Sequence, residues 1–149
     1  MDKLQIKRLR EGANLPRRAT ESSAGYDLCA CLPEEGEITL APGQAHIFPT
    51  GIAVGMPHGQ MVGLIYARSG LAVRHGVVPT NCVGVIDADY TGELLVSLQN
   101  TFDAPYTVRH GDRIAQLVLT PIFTPPIQEV EELAATGRGE GRFGSTGKR

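Results

Sequence analysis

Glycine and proline interrupt this chain too often for any long regular element to form. Eighteen Gly and ten Pro fall among 149 residues. Gly opens the left-handed backbone that tight turns need, and Pro removes a donor from helix and sheet ladders. Between these breaks lie short apolar runs: Ile38–Leu40, His46–Phe48, Ile52–Val54, Met61–Tyr66, Gly76–Ile86, Leu94–Leu98, Arg113–Leu119 and Ile127–Leu133. Pro49-Thr50-Gly51 separates the second from the third, and Leu94–Leu98 reads as continuously apolar. Short strands with a turn signal every ten residues or so predict an all-β sandwich or barrel. Helix signals are confined to Ser69–His75, where Ser69 is placed to cap and Gly76 to stop a turn or two. No repeat of fixed period is present.

The length fits one domain, and a domain of about 150 residues buries roughly two-thirds of its unfolded surface without a disulfide or metal staple. Three Cys is an odd number, Cys29 and Cys31 are badly placed to bridge each other, and no Cys/His spacing matches a zinc site. No run reaches the length of a membrane span, and the first residues lack the apolar core of a secretory signal. The expected setting is a reducing cytoplasm with no membrane partner. Charge is uneven. Residues 1–18 carry six Lys/Arg against two acids and residues 136–149 four against one. Between them the cations are Arg68, Arg74, Arg109 and Arg113, in a net chain charge of -2. An acidic body suits no long nucleic acid, whose phosphate rail needs a basic track. From Thr136 onward the chain is Gly-rich and nearly free of apolar residues, the composition of a flexible tail.

Five constellations have chemical potential. In Ser23-Ala24-Gly25-Tyr26-Asp27-Leu28, an acid opens a strand after a Gly, which by itself suits a surface turn. In Ala67-Arg68-Ser69-Gly70-Leu71, an Arg fork, a hydroxyl and a Gly open a helical turn, a good anion site or an ordinary solvated turn. From Asn81 to Glu93, Asn81 sits in an apolar strand, where an amide needs a partner and can read a nucleobase edge. Asp87 follows apolar Val85-Ile86, so partial burial is expected, which suits a general base. Asp87-x-Asp89 is alternatively a direct Mg²⁺ pair, or both acids merely serve a hairpin turn. In Gly111–Gln116, Arg113 and Gln116 are three apart and face opposite ways on a regular strand. The last, Gly137–Gly147, looks like a phosphate-cradling loop without Walker A spacing, with Phe143 placed to close over a flat ring.

Taken in order, Ala24-Gly25-Tyr26-Asp27-Leu28, Arg68-Ser69-Gly70-Leu71, Asn81–Glu93, Gly111–Gln116 and Arg138–Gly147 resemble the five motifs of the trimeric dUTPase family, from about Leu15 to Gly147. The resemblance implies a jelly-roll-like β-barrel of the β-clip kind with at most one short helix. It implies a barrel over residues 1–135, a flexible arm over 136–149 that closes on the active site, and a homotrimer with shared sites. The activity implied is Mg²⁺-assisted hydrolysis of dUTP to dUMP and pyrophosphate, which lowers dUTP and supplies dUMP for thymidylate synthesis. Asp87 resembles the carboxylate that activates the water attacking the α-phosphorus. Asn81 with the backbone at Val85 and Ile86 resembles the uracil reader, and Tyr90 the platform under deoxyribose. Arg68, Ser69, Gly70 and Gln116 resemble phosphate ligands. Arg138, Phe143, Gly144, Ser145 and Thr146 resemble the closing arm. Asp27 resembles the acid that supports Mg²⁺ indirectly, through water.

The residues agree with such chemistry. Mg²⁺ lowers the charge of a triphosphate that an acidic body would repel, so few arginines suffice if they converge. Cytosine is refused by donor and acceptor mismatch, and thymine if backbone near Gly84 crowds C5. Two departures stand out: Ala67 replaces a frequent Pro, and Arg142 a frequent Gly, which bears on arm closure. Two alternatives remain: a dCTP deaminase of the same fold, and a non-catalytic dUTP-binding regulator.

Overall fold

The computed structural model describes residues 3–33, 35–137 and 139–141. Ten strands and one short helix follow in order: β1 (Gln5–Arg8), β2 (Tyr26–Cys29), β3 (Glu37–Leu40), β4 (Ala45–Gly55), β5 (Met61–Tyr66), α1 (Ser69–His75), β6 (Val77–Pro79), β7 (Gly84–Ile86), β8 (Glu93–Asn100), β9 (Tyr106–Arg109) and β10 (Arg113–Pro121). One four-stranded sheet runs β1-β4-β8-β6 and a second β2-β10-β5-β7, while β3 and β9 form a ribbon. Every pairing is antiparallel. Leu28, Phe48, Ile65, Leu94, Leu98, Val108 and Leu117, drawn from both sheets and the ribbon, meet in one core. Two facing sheets around a shared interior give the mostly β, jelly-roll-like architecture that the turn spacing predicts.

Several predicted elements come out differently. The apolar run Gly76–Ile86 divides into β6 and β7, because a turn over residues 80–83 interrupts it. Pro49-Thr50-Gly51 is not a hairpin turn. β4 runs through it, and the ladder with β8 absorbs it as a register shift between Pro49 and Ala53, with Gly51 at φ 72°. β8 alternates: Leu94, Val96 and Leu98 are buried, while Leu95 is half exposed. Ile127–Leu133 forms no strand, and Ile127 and Leu133 stand almost wholly exposed. Among the described residues these two side chains find almost no packing partner. The helix occupies Ser69–His75 and ends at Gly76 in the left-handed conformation, as predicted. Its N-cap, however, is Arg68, and no side chain caps it.

The buried amide of Asn100 is fully engaged. Asn100 donates from Nδ2 to the carbonyls of Leu40 (3.0 Å) and Ala104 (2.7 Å), and its Oδ1 accepts from the Phe102 N–H. Among the described residues no helix is long and apolar enough to cross a membrane. The cysteines Cys29, Cys31 and Cys82 are unbridged.

Candidate active site

β2 turns Leu28 into the core and leaves Asp27 and Cys29 on the opposite face. There Asp27 gathers two arginines. Arg68 donates from Nε to Oδ1 at 3.1 Å, and Arg113 from Nη1 to Oδ2 at 3.0 Å. Asp27 is only 15% exposed, so this is no solvated surface acid. Arg68 also donates from Nη1 to the Arg113 carbonyl at 3.1 Å, which ties its guanidinium plane to β10. Cys29 lies alongside, and burial followed by the charge of Asp27 pushes its thiol pKa up. A cavity of about 420 Å³ opens beside this group, lined in part by Asn14, Arg17, Asp27, Cys29 and Arg113.

Arg113 and Gln116 do not face opposite ways. Arg113 pairs with Cys29, Ala115 with Leu28 and Gln116 with Asp27, with a register shift between Arg113 and Ala115. One extra residue on β10 inverts the alternation, so Ile114 and Ala115 are both buried. Arg113 and Gln116 thereby lie opposite Cys29 and Asp27, on one face. Gln116 donates from Nε2 to the Ala67 carbonyl at 2.9 Å, next to Arg68. A Cβ on Gly25 would come within 2.7 Å of Gln116 Oε1 and 3.1 Å of its Cβ, so Gly25 leaves the room this side chain occupies.

Ser69 and Gly70 are exposed at the start of α1. First-turn N–H groups have no intrahelical acceptor, and the space a Gly70 side chain would fill is open. Arg68, Ser69, Gly70, Gln116 and Asp27 therefore form one cluster.

The second cluster lies around β7. Val85, Ile86, Asp87, Tyr90, Glu93 and Leu95 line a shallow cavity of about 200 Å³. Tyr90 donates its hydroxyl to the Glu93 carbonyl at 2.9 Å, and its N–H to the Asp87 carbonyl at 3.1 Å. Asp87 is exposed, contrary to the burial its apolar neighbours predicted, because it follows the last residue of β7 and enters a turn. Asn81 is not in a strand either: it is exposed, in the turn between β6 and β7. That turn is held by a hydrogen bond from the Val83 N–H to the Asn81 carbonyl (2.6 Å), across Cys82 at φ 62°. Gly84 is buried, and a Cβ there would meet Ile65 Cβ at 3.1 Å, so its missing side chain serves the β5–β7 contact rather than an open pocket. Among the described residues no group of three or more His, Cys, Asp or Glu is placed to hold a metal ion.

One chain keeps the two clusters apart. Asp27, Gln116 and Tyr66 share one row across the second sheet, whereas Ile86 pairs with Gly63, next to Val62, which pairs with Thr120. Asp87 thus lies about four residues along the strands from the Asp27 row, roughly 14 Å. Of the predicted arm, Arg138, Phe143, Gly144, Ser145 and Thr146 lie outside the described residues, as does Arg142. The sequence pattern signals neither the convergence of Arg68 and Arg113 on Asp27 nor the pairing of Arg10 with Glu93.

A family model described as dUTPase matches residues 11–147. The chain is 47% identical over 133 residues to a deoxyuridine 5'-triphosphate nucleotidohydrolase of Neisseria gonorrhoeae, covering 89% of this chain and 87% of that one. It superimposes on the Staphylococcus bacteriophage 80alpha dUTPase solved with dUpNHpp at a TM-score of 0.87 and 31% identity, over 99% of each chain. It also superimposes on a mutant dUTPase of phage phi11 of S. aureus, whose structure reveals the coordination of a structural Mg(II) ion. There the TM-score is 0.79 at 31% identity, over 89% of this chain and 99% of that one.

Proposed function

The chain belongs to the dUTPase family and is a dUTP nucleotidohydrolase, and on that footing we propose that Asp87 deprotonates a water that attacks the α-phosphorus of dUTP in line. A bond forms from the water oxygen to that phosphorus, and the bond to the bridging oxygen breaks. The proton goes to Asp87, and pyrophosphate leaves. Arg68, Ser69, Gly70 and Gln116 bind the phosphates. Asn81 and the backbone at Val85 and Ile86 read uracil, and Tyr90 stacks under the deoxyribose. The observation that carries this reading is the convergence of Arg68 and Arg113 on Asp27 beside open backbone at Gly70. It holds positive charge and donors in place before a phosphate arrives, which is what charge stabilisation in the transition state needs.

Magnesium fits these residues as an ion that arrives on the triphosphate. Mg²⁺ keeps waters and phosphate oxygens as ligands and needs few protein donors, and Asp27, already engaged by two arginines, is suited to accept from those waters rather than to bind the ion itself. When bound, it would offset the negative charge that develops on the phosphate oxygens. The phi11 relative coordinates a structural Mg(II) ion.

We further propose a homotrimer whose sites are shared. The roughly 14 Å between the clusters is too far for one chain to complete a site. Outward-facing Ile47, Val85 and Leu95, with Phe123 and Ile127, give apolar surface for neighbouring copies to cover. Residues 136–149, including Arg138, Phe143, Gly144, Ser145 and Thr146, act as the arm that closes over the nucleotide. Three unbridged cysteines suit a cytoplasmic setting.

Hydrolysis in ¹⁸O-labelled water tests the chemistry. Label in dUMP and none in pyrophosphate supports attack at the α-phosphorus, and label in pyrophosphate contradicts it.

A further inference from the structure

Arg10 grips Glu93 with two parallel hydrogen bonds, Nε to Oε1 and Nη2 to Oε2, both 2.8 Å, across 83 positions of sequence. Surface ion pairs usually contribute little, but this one is built differently. The fork matches the carboxylate edge to edge, and Glu93 is only 18% exposed. Glu93 Oε1 also accepts the Gly51 N–H at 2.9 Å. The Leu9 N–H donates to the Gly51 carbonyl at 2.7 Å, so the segment bearing Arg10 is tied to the same point. Two separate stretches of chain thus hold one carboxylate.

Glu93 opens β8 directly after the turn bearing Asp87 and Tyr90. Its carbonyl accepts the Tyr90 hydroxyl at 2.9 Å. The Tyr90 ring lies against Gly92, where a Cβ would come within 2.5 Å of the hydroxyl. We propose that Arg10 is a positioning residue for sugar selection: by clamping Glu93 it fixes the carbonyl that holds Tyr90, and so the clearance between Tyr90 and C2′ of the bound nucleotide. This rests on the reading of Tyr90 as the deoxyribose platform. Loosening the clamp gives the ring freedom to retreat and admit a 2′-hydroxyl.

The test is the ratio of kcat/KM for dUTP to that for UTP, measured in the full-length protein and in Arg10→Met, Arg10→Lys and Tyr90→Ala. A ratio does not depend on the fraction of protein that is folded. Arg10→Met keeps the apolar stem and deletes the fork, so the ratio falls about fivefold or more. Arg10→Lys, which keeps the charge without the fork, lies between it and wild type. An unchanged ratio in Arg10→Met, alongside a collapsed one in Tyr90→Ala, overturns the role of Arg10 and leaves the active-site reading intact. A ratio unmoved by Tyr90→Ala overturns the platform assignment, and the role of Arg10 with it.

Discussion

Arg68 donates to Asp27 at 3.1 Å from 41 positions away in sequence, and this contact joins the first strand of the second sheet to the start of the lone helix. Asp27 answers Arg68 with one oxygen and Arg113 with the other, so a single carboxylate aims two cations. Without a phosphate present, the pair of arginines would otherwise repel each other.

Replacing Asp27 with Asn removes that counter-charge while keeping the shape. Charge-assisted hydrogen bonds to a mostly covered carboxylate are worth about 1.5–3 kcal/mol, so Asp27→Asn is expected to lower stability by about 1–2 kcal/mol. It is also expected to reduce kcat/KM for dUTP by about tenfold or more. Urea unfolding and steady-state kinetics check the two effects separately.

The proposed sharing of sites between subunits predicts that inactive variants complement one another. Asp87→Asn and Arg68→Ala are each expected to be nearly inactive alone. After joint unfolding and refolding in equal amounts, a site that draws Asp87 from one subunit and Arg68 from another is intact in about a quarter of cases. Recovery of about a quarter of wild-type turnover supports sites built between chains, and no recovery contradicts them.

Most of the barrel was legible because apolar runs and Gly/Pro breaks act locally. Met61–Tyr66 forms β5 within the bounds the sequence predicts, and Gly76 stops α1 as expected. The failures share a cause. Pro49–Gly51 and Ile114-Ala115 are bulges, set by the partner strand rather than by the residues themselves, and at Ile114-Ala115 the one-residue shift reverses which side chains reach the site. Asn81 and Asp87 sat beside apolar residues in sequence yet are exposed, since strand ends turn outward where pairing stops. The clamp of Arg10 on Glu93 spans 83 positions of sequence and leaves no trace in local pattern.

Cys82 holds a left-handed backbone at φ 62° immediately after Asn81. Gly takes this conformation freely, whereas a β-branched residue resists it. Cys82→Gly is therefore expected to fold and bind dUTP as wild type does. Cys82→Val, close in size to Cys, is expected to lose about 1–2 kcal/mol of stability and to raise KM by displacing Asn81. Equal behaviour of the two variants would contradict the conformational account.

Glu93 makes stability depend on pH in one direction. The hydrogen bond from Arg10, foremost, and that from Gly51 hold its carboxyl below the ordinary carboxylate value. The folded chain therefore binds fewer protons than the unfolded one in that range. Its contribution is complete above the unfolded pKa of about 4.3 and is lost as pH falls through the depressed folded value. Urea midpoints should drop over that interval in wild type, and the drop should be smaller in Glu93→Gln.

The central claim is that Asp87 activates the attacking water, and pyrophosphate release by Asp87→Asn, measured with saturating dUTP and Mg²⁺, tests it most directly. Asn keeps the size of the side chain and loses the base. The account predicts turnover reduced by about three orders of magnitude or more, with dUTP binding close to wild type. Turnover that stays near the wild-type rate would show that another group takes the proton.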